Sequence, residues 1–157
     1  MRTADGLTVL LAGEGELHAS ADVLVKVRAA DTTGGWGLVI VTGQPGEGGV
    51  THRHRGETEA FYLLEGEVDL LGAESRTRIG PGAFVLVPPD LEHGLRIVGD
   101  RTARWLAVWP AALDGLFEAL AETTEPSAEV ETRRRHGIEP GRDRSTEPAG
   151  RSPDGAP

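Results

Sequence analysis

Apolar residues in the first 110 positions fall in runs of five to seven, each closed by glycine, proline or charged residues. The runs are 23–27, 36–41, 60–64, 67–71, 83–87, 94–98 and 103–109. They are short and rich in β-branched or aromatic side chains, which predicts strands. Glu65-Gly66-Glu67 separates two of them as a tight hairpin turn would. Ile79-Gly80-Pro81-Gly82 is a turn built from residues that fix or free φ. Many short strands with no helical pattern between them predict an all-β sandwich or barrel.

The period changes after Pro110. Leu113, Leu116, Phe117 and Leu120 recur at helical spacing, with Asp114 and Glu118 off that stripe. A short amphipathic helix packed on the outside of the β-domain is expected. From Thr124 onward the chain has no aromatic residue and is dominated by proline, glycine and charge. Such a segment buries too little to offset the entropy of ordering it. The expected organisation is therefore a domain over residues 1–123 and a largely disordered, mobile tail over 124–157. Residues 127–135 are expected to form a helical turn or two only if they dock. A chain ending at Thr123 is expected to fold and load metal.

Charge narrows the function classes. The formal net charge is -9, and residues 1–123 account for -8 of it. An acidic domain without a basic cluster is a poor partner for a phosphate backbone, so no nucleic-acid partner is expected. Arg133-Arg134-Arg135 is the one basic run. Acidic residues flank it, and a solvated charged face is the simpler reading. No apolar run approaches membrane-spanning length, and the N-terminus lacks the pattern of a signal peptide. A soluble cytoplasmic protein without a membrane partner is the expectation. There is no cysteine, which excludes disulfides, thiolate metal sites and cysteine nucleophiles.

The chemistry is concentrated in a few positions. His52 and His54 lie two apart, so on a strand both point to one face while Arg53 points to the other. Glu59 follows, and His93 comes after the Pro88-Pro89 pair. Three imidazoles and a carboxylate suit Fe(II), Mn(II), Ni(II), Co(II) or Zn(II). Glu57 rivals Glu59 in proximity. Glu59 shares strand parity with Phe61 and Leu63, which places it at the inward end of an apolar face. His18 and His136 lie outside this pattern and are read as surface residues.

Around these residues the spacing resembles that of a known family. Gly46, five residues, His52, one residue, His54, four residues, Glu59, six residues and Gly66 resembles the first signature motif of the cupins. Gly82, five residues, Pro88 and then His93 resembles the second. Asp90 stands where the family usually has glycine, and Ile97 where it usually has asparagine. The helix after Pro110 and the 135–139 stretch are similar to the tail of single-domain, quercetin-dioxygenase-like cupins. The resemblance implies a barrel of two antiparallel sheets, with one divalent metal held by His52, His54, Glu59 and His93. It also implies a homodimer.

By strand parity Trp36, Leu38, Ile40, Phe61, Leu95, Ile97, Trp105 and Ala107 are the candidate substrate-binding residues lining an apolar cavity around the ion. Such a wall, with no inward Arg or Lys, favours a small aromatic, enol or polyketide-like substrate over a sugar phosphate. The resemblance implies a dioxygenase in which Glu59 is the catalytic base and the metal is iron, manganese or nickel ahead of zinc or cobalt. The same ligands would serve a redox-neutral isomerase, cyclase or decarboxylase. A non-catalytic small-molecule-binding barrel is the third reading.

Overall fold

A computed structural model describes residues 2–4, 7–18 and 22–148. β1 (Arg2–Ala4) and β2 (Leu7–Val9) pair only with each other. β3 (Glu16–Leu17), β4 (Val23–Val27), β5 (Trp36–Gly43), β6 (Val50–His54), β7 (Glu59–Glu65) and β8 (Glu67–Gly72) follow. Next come β9 (Arg76–Ile79), β10 (Phe84–Val87), β11 (His93–Val98) and β12 (Ala103–Pro110). The chain continues through a 3-10 turn at Ala111–Leu113, α1 (Leu116–Ala121), α2 (Pro126–Arg135) and β13 (Ile138–Asp143).

The long strands build two antiparallel sheets. One has the order β10-β7-β12-β5-β4-β3, the other β13-β6-β11-β8-β9. Chain neighbours β7 and β8 lie in different sheets, so the Gly66 turn is a corner between them. Gly66 has φ 75°, and a Cβ there would come within 2.9 Å of the Ala103 side chain. Both the left-handed backbone and the close approach require glycine.

The inward faces supply the core. Leu63, Val68, Ile97 and Ala103 come from four strands in the two sheets and form one buried cluster between them. A larger cluster joins Val39, Phe61, Ala107 and Trp109 to Leu113 and Leu116 beyond the barrel, and to Ile138 of β13. Phe117 and Leu120 pack against it. The predicted apolar stripe after Pro110 is therefore packed, with one change. Gly115, at φ 78°, breaks the segment into the 3-10 turn and α1. This cap packs into the barrel's core and supplies Leu113, Leu116 and Phe117 to the wall of its cavity.

The segment from 124 to 148 departs from the expected disorder. α2 forms with Pro126 at its start, where the missing N–H leaves no helical bond unmade. β13 then pairs with β6, matching Ile138 to His54 and Pro140 to His52. Its sequence, IEPGRD, carries proline and glycine and gives no strand signal. The strand exists because β6 offers an open edge and the core offers Ile138 a buried seat, 5% exposed. The end of the expected tail, 149–157, lies outside the described residues.

Candidate metal centre

Three strands bring four side chains to one point. β6 carries His52 and His54 on its inward face, and β11 sets His93 directly opposite His52. Glu59 opens β7 in the facing sheet. His54, Glu59 and His93 are buried, and His52 is half-buried. One potential ligand atom from each of the four lies within 4.8 Å of the others. The Glu59 Oε2 atom lies 2.9 Å from His54 Nε2 and 3.1 Å from His93 Nε2. The imidazole rings of His52 and His93 have centroids 4.4 Å apart. Glu57 is not among the clustered residues.

The turn before His93 completes the site. His93 Nδ1 donates to the Leu91 carbonyl at 3.0 Å, which fixes the ring's orientation. Asp90 has φ 62°, the left-handed conformation that glycine adopts without strain. Asp90 tolerates it because its carboxylate accepts from Gly56 N–H at 3.1 Å, and its own N–H donates to the His54 carbonyl at 2.9 Å. The Asp90 loop thus ties the β10–β11 turn to the end of the strand bearing His54.

Electrostatics favours a cation here. Burial alone would raise the Glu59 carboxyl, but His54 and His93 outweigh it and hold the pKa at about 2. Burial, then the neighbouring His93 and His54, depress His52 to about 3. His54 Nε2 and His93 Nε2 both face the same Glu59 oxygen, so two ring nitrogens and a carboxylate oxygen are gathered about one point. The donor set of three imidazole nitrogens and one carboxylate oxygen fits a divalent transition metal.

The Cupin_2 family, described as a cupin domain, matches residues 39–109. The chain belongs to the cupin superfamily. It is 30% identical over 119 residues to a quercetin 2,3-dioxygenase from Bacillus subtilis, covering 74% of this chain and 35% of that protein. It is 38% identical over 84 residues to the polyketide synthase CurC of Streptomyces cyaneus, covering 52% of each. The cupin chain therefore spans about a third and about half of these two relatives. Among solved structures it resembles the polyketide cyclase RemF from Streptomyces resistomycificus. The TM-score there is 0.52 at 23% identity, over 57% of this chain and 63% of that one.

Above the four residues the cupin barrel holds a cavity of about 250 Å³. Phe61, Leu95, Trp105 and Ala107 line it. Trp36, Leu38 and Ile40 do not, and the parity assigned to β5 is corrected. Val39 and Val41 face the cavity instead, and Trp36 is 44% exposed. Ile97 faces inward but lies in the deeper cluster with Leu63 and Val68, away from the cavity lining. The lining also takes Trp109, the cap residues Leu113, Leu116 and Phe117, and two residues from the expected tail, Arg133 and Ile138. Arg133 corrects the expectation of a wall without arginine. His136 is also engaged, its Nδ1 donating to the Ala112 carbonyl at 2.8 Å.

Proposed function

We propose that this cupin is a metal-dependent dioxygenase acting on a small aromatic, enol or polyketide-like substrate. One observation carries the reading. A buried carboxylate, Glu59, sits among three histidines in the wall of a largely apolar cavity that Arg133 also lines. His52, His54, Glu59 and His93 would hold the metal. A divalent metal bound there would supply Lewis-acid charge to a substrate enol or phenol oxygen and, if redox-active, a means of engaging oxygen.

The chain's own residues do the rest. Phe61 and Trp105 offer flat apolar surfaces that orient a ring with its oxygen toward the ligand cluster. Leu113, Leu116 and Phe117 add apolar wall to the cavity, which favours an apolar ring over water beside the ligand cluster. In this reading Glu59, the one carboxylate in the cluster, takes the hydroxyl proton. The partial match to a quercetin 2,3-dioxygenase supports the oxidative form of this reading.

The test joins metal analysis to an oxygen electrode. Protein prepared without a histidine tag is expected to carry iron, manganese or nickel, and to consume oxygen in step with loss of a flavonol substrate. Turnover that continues unchanged under strict anaerobiosis would overturn the oxygenase. It would leave a redox-neutral cyclase, isomerase or decarboxylase, and the match to the polyketide synthase CurC keeps a polyketide-like substrate in that reading.

A further inference from the structure

The cavity wall is apolar above the ligand cluster except at one place. Arg133 is the one arginine or lysine among the lining residues. Its side chain is 41% exposed, whereas those of His54 and His93 are 4% exposed. The guanidinium is therefore the partly solvated part of the lining, whereas His54 and His93 are buried. Glu129, one turn earlier on α2, binds Nε and Nη2 through a single oxygen, at 3.1 and 2.7 Å. Nη1 makes no hydrogen bond among the described residues, so the fork has donors to spare.

The helix that carries Arg133 is fixed in place. Thr132 is 2% exposed, the His136 ring is bound to the Ala112 carbonyl, and Ile138 is seated in the core. The arginine is thus presented to the cavity by a docked element.

We propose that Arg133 is a specificity-determining residue, and that the substrate carries one carboxylate at the end remote from its enol or phenol oxygen. The assignment rests on the proposed use of the cavity for an aromatic substrate. A cavity with a metal-ligating cluster, apolar walls and a single, partly solvated cation is complementary to a molecule with three matching parts. A monoanion is the right charge. Arg133 is already partly neutralised by Glu129, and Arg134 and Arg135 do not line the cavity. A phosphate dianion would want more donors than one shared guanidinium offers.

The test is equilibrium binding of 6-hydroxy-2-naphthoate and its methyl ester to the full-length protein, both as purified and after metal removal. The acid is expected to bind about tenfold more tightly than the ester, a modest factor because the pair is partly solvated. Arg133→Gln is expected to erase that preference while leaving ester affinity and metal content unchanged, and Arg133→Lys to restore part of it. Glu129→Gln frees the guanidinium and is expected to tighten acid binding several-fold. A purely structural Glu129–Arg133 pair predicts the opposite, with both variants weakening acid and ester alike. Equal affinity for acid and ester, or a preference that survives in Arg133→Gln, overturns the proposal. Tightest binding of 6-hydroxy-2-naphthyl phosphate overturns the carboxylate assignment. If neither naphthol compound binds a folded, metal-loaded protein, the aromatic-substrate reading itself falls.

Discussion

Glu59 and His52 are held in their metal-ready forms by opposite routes. Glu59 stays ionised against its own burial because His54 and His93 outweigh it, and His52 stays neutral because burial is reinforced by its neighbours. A carboxylate and a free imidazole lone pair are the forms a metal needs. In the metal-free protein this has a consequence for stability. Unfolded His52 takes up a proton below about 6.5, whereas folded His52 resists until about 3. Unfolded Glu59 is protonated below about 4.5, and folded Glu59 only near 2. In both windows the unfolded state binds more protons, so stability falls as pH falls. Thermal melts of metal-free protein are expected to show Tm dropping from pH 6.5 downward, and a metal-free His52→Gln variant to show a shallower drop above pH 4.5. The ligand assignment has a direct check in metal content. His52→Ala and His93→Ala are expected to lose the metal and His18→Ala to keep it. At Asp90 the left-handed backbone decides the outcome. Asp90→Ala should cost about 1–2 kcal/mol, lowering Tm by a few degrees, and Asp90→Gly should cost less because glycine has no Cβ to clash.

Among elements, β5 shows why part of the site was illegible. Its run Trp36-Gly37-Leu38-Val39-Ile40-Val41 is apolar on both faces, so alternation does not say which face is inward. The available signal was glycine. Gly37 and Gly43 share parity with Val39, and Gly37 lies against the Trp109 indole, where a side chain would not fit. On β12, Trp105 and Ala107 alternate with Arg104 and Leu106, and that parity was readable. The His-x-His pair of β6 was legible for the same reason, since only one strand face can hold both rings. Ile97 was read on the right face but at the wrong depth, because parity carries no information about position along the barrel axis. A pair of substitutions tests the revised face of β5. Val41→Phe should intrude on the cavity and raise KM several-fold, whereas Ile40→Phe should leave KM unchanged, with metal content equal in both.

At the scale of the whole molecule, the ligands depend on a segment that composition alone reads as a tail. β6, which bears His52 and His54, has a single registered pair with β11, at His93, while β13 pairs with it at Ile138, Glu139, Pro140 and Asp143. Further on, Arg144 N–H donates to the Gly49 carbonyl at 2.8 Å, and the Arg144 guanidinium donates to the carbonyls of Gly72 and Ser75 at 2.6 and 2.9 Å. The strap thereby ties the start of β6 to the β8–β9 turn. Composition could not reveal this, because strap residues such as Pro140, Gly141 and Arg144 contribute through backbone pairing and hydrogen bonds rather than through apolar burial. Removing everything after Thr123 would leave β6 as a sheet edge paired only through His93, uncover the cavity beside Ile138 and remove the Arg144 donors to the Gly72 and Ser75 carbonyls. The loss of Ile138 burial alone is worth about 2–4 kcal/mol. The truncated chain is therefore expected to melt on the order of 10 °C lower than the full chain. It should also retain less metal, and Ile138→Ala should reproduce a smaller part of both losses. Matching Tm and metal content in truncated and full-length protein would mean that β6 holds its histidines without the strap, and that the barrel alone is the functional unit.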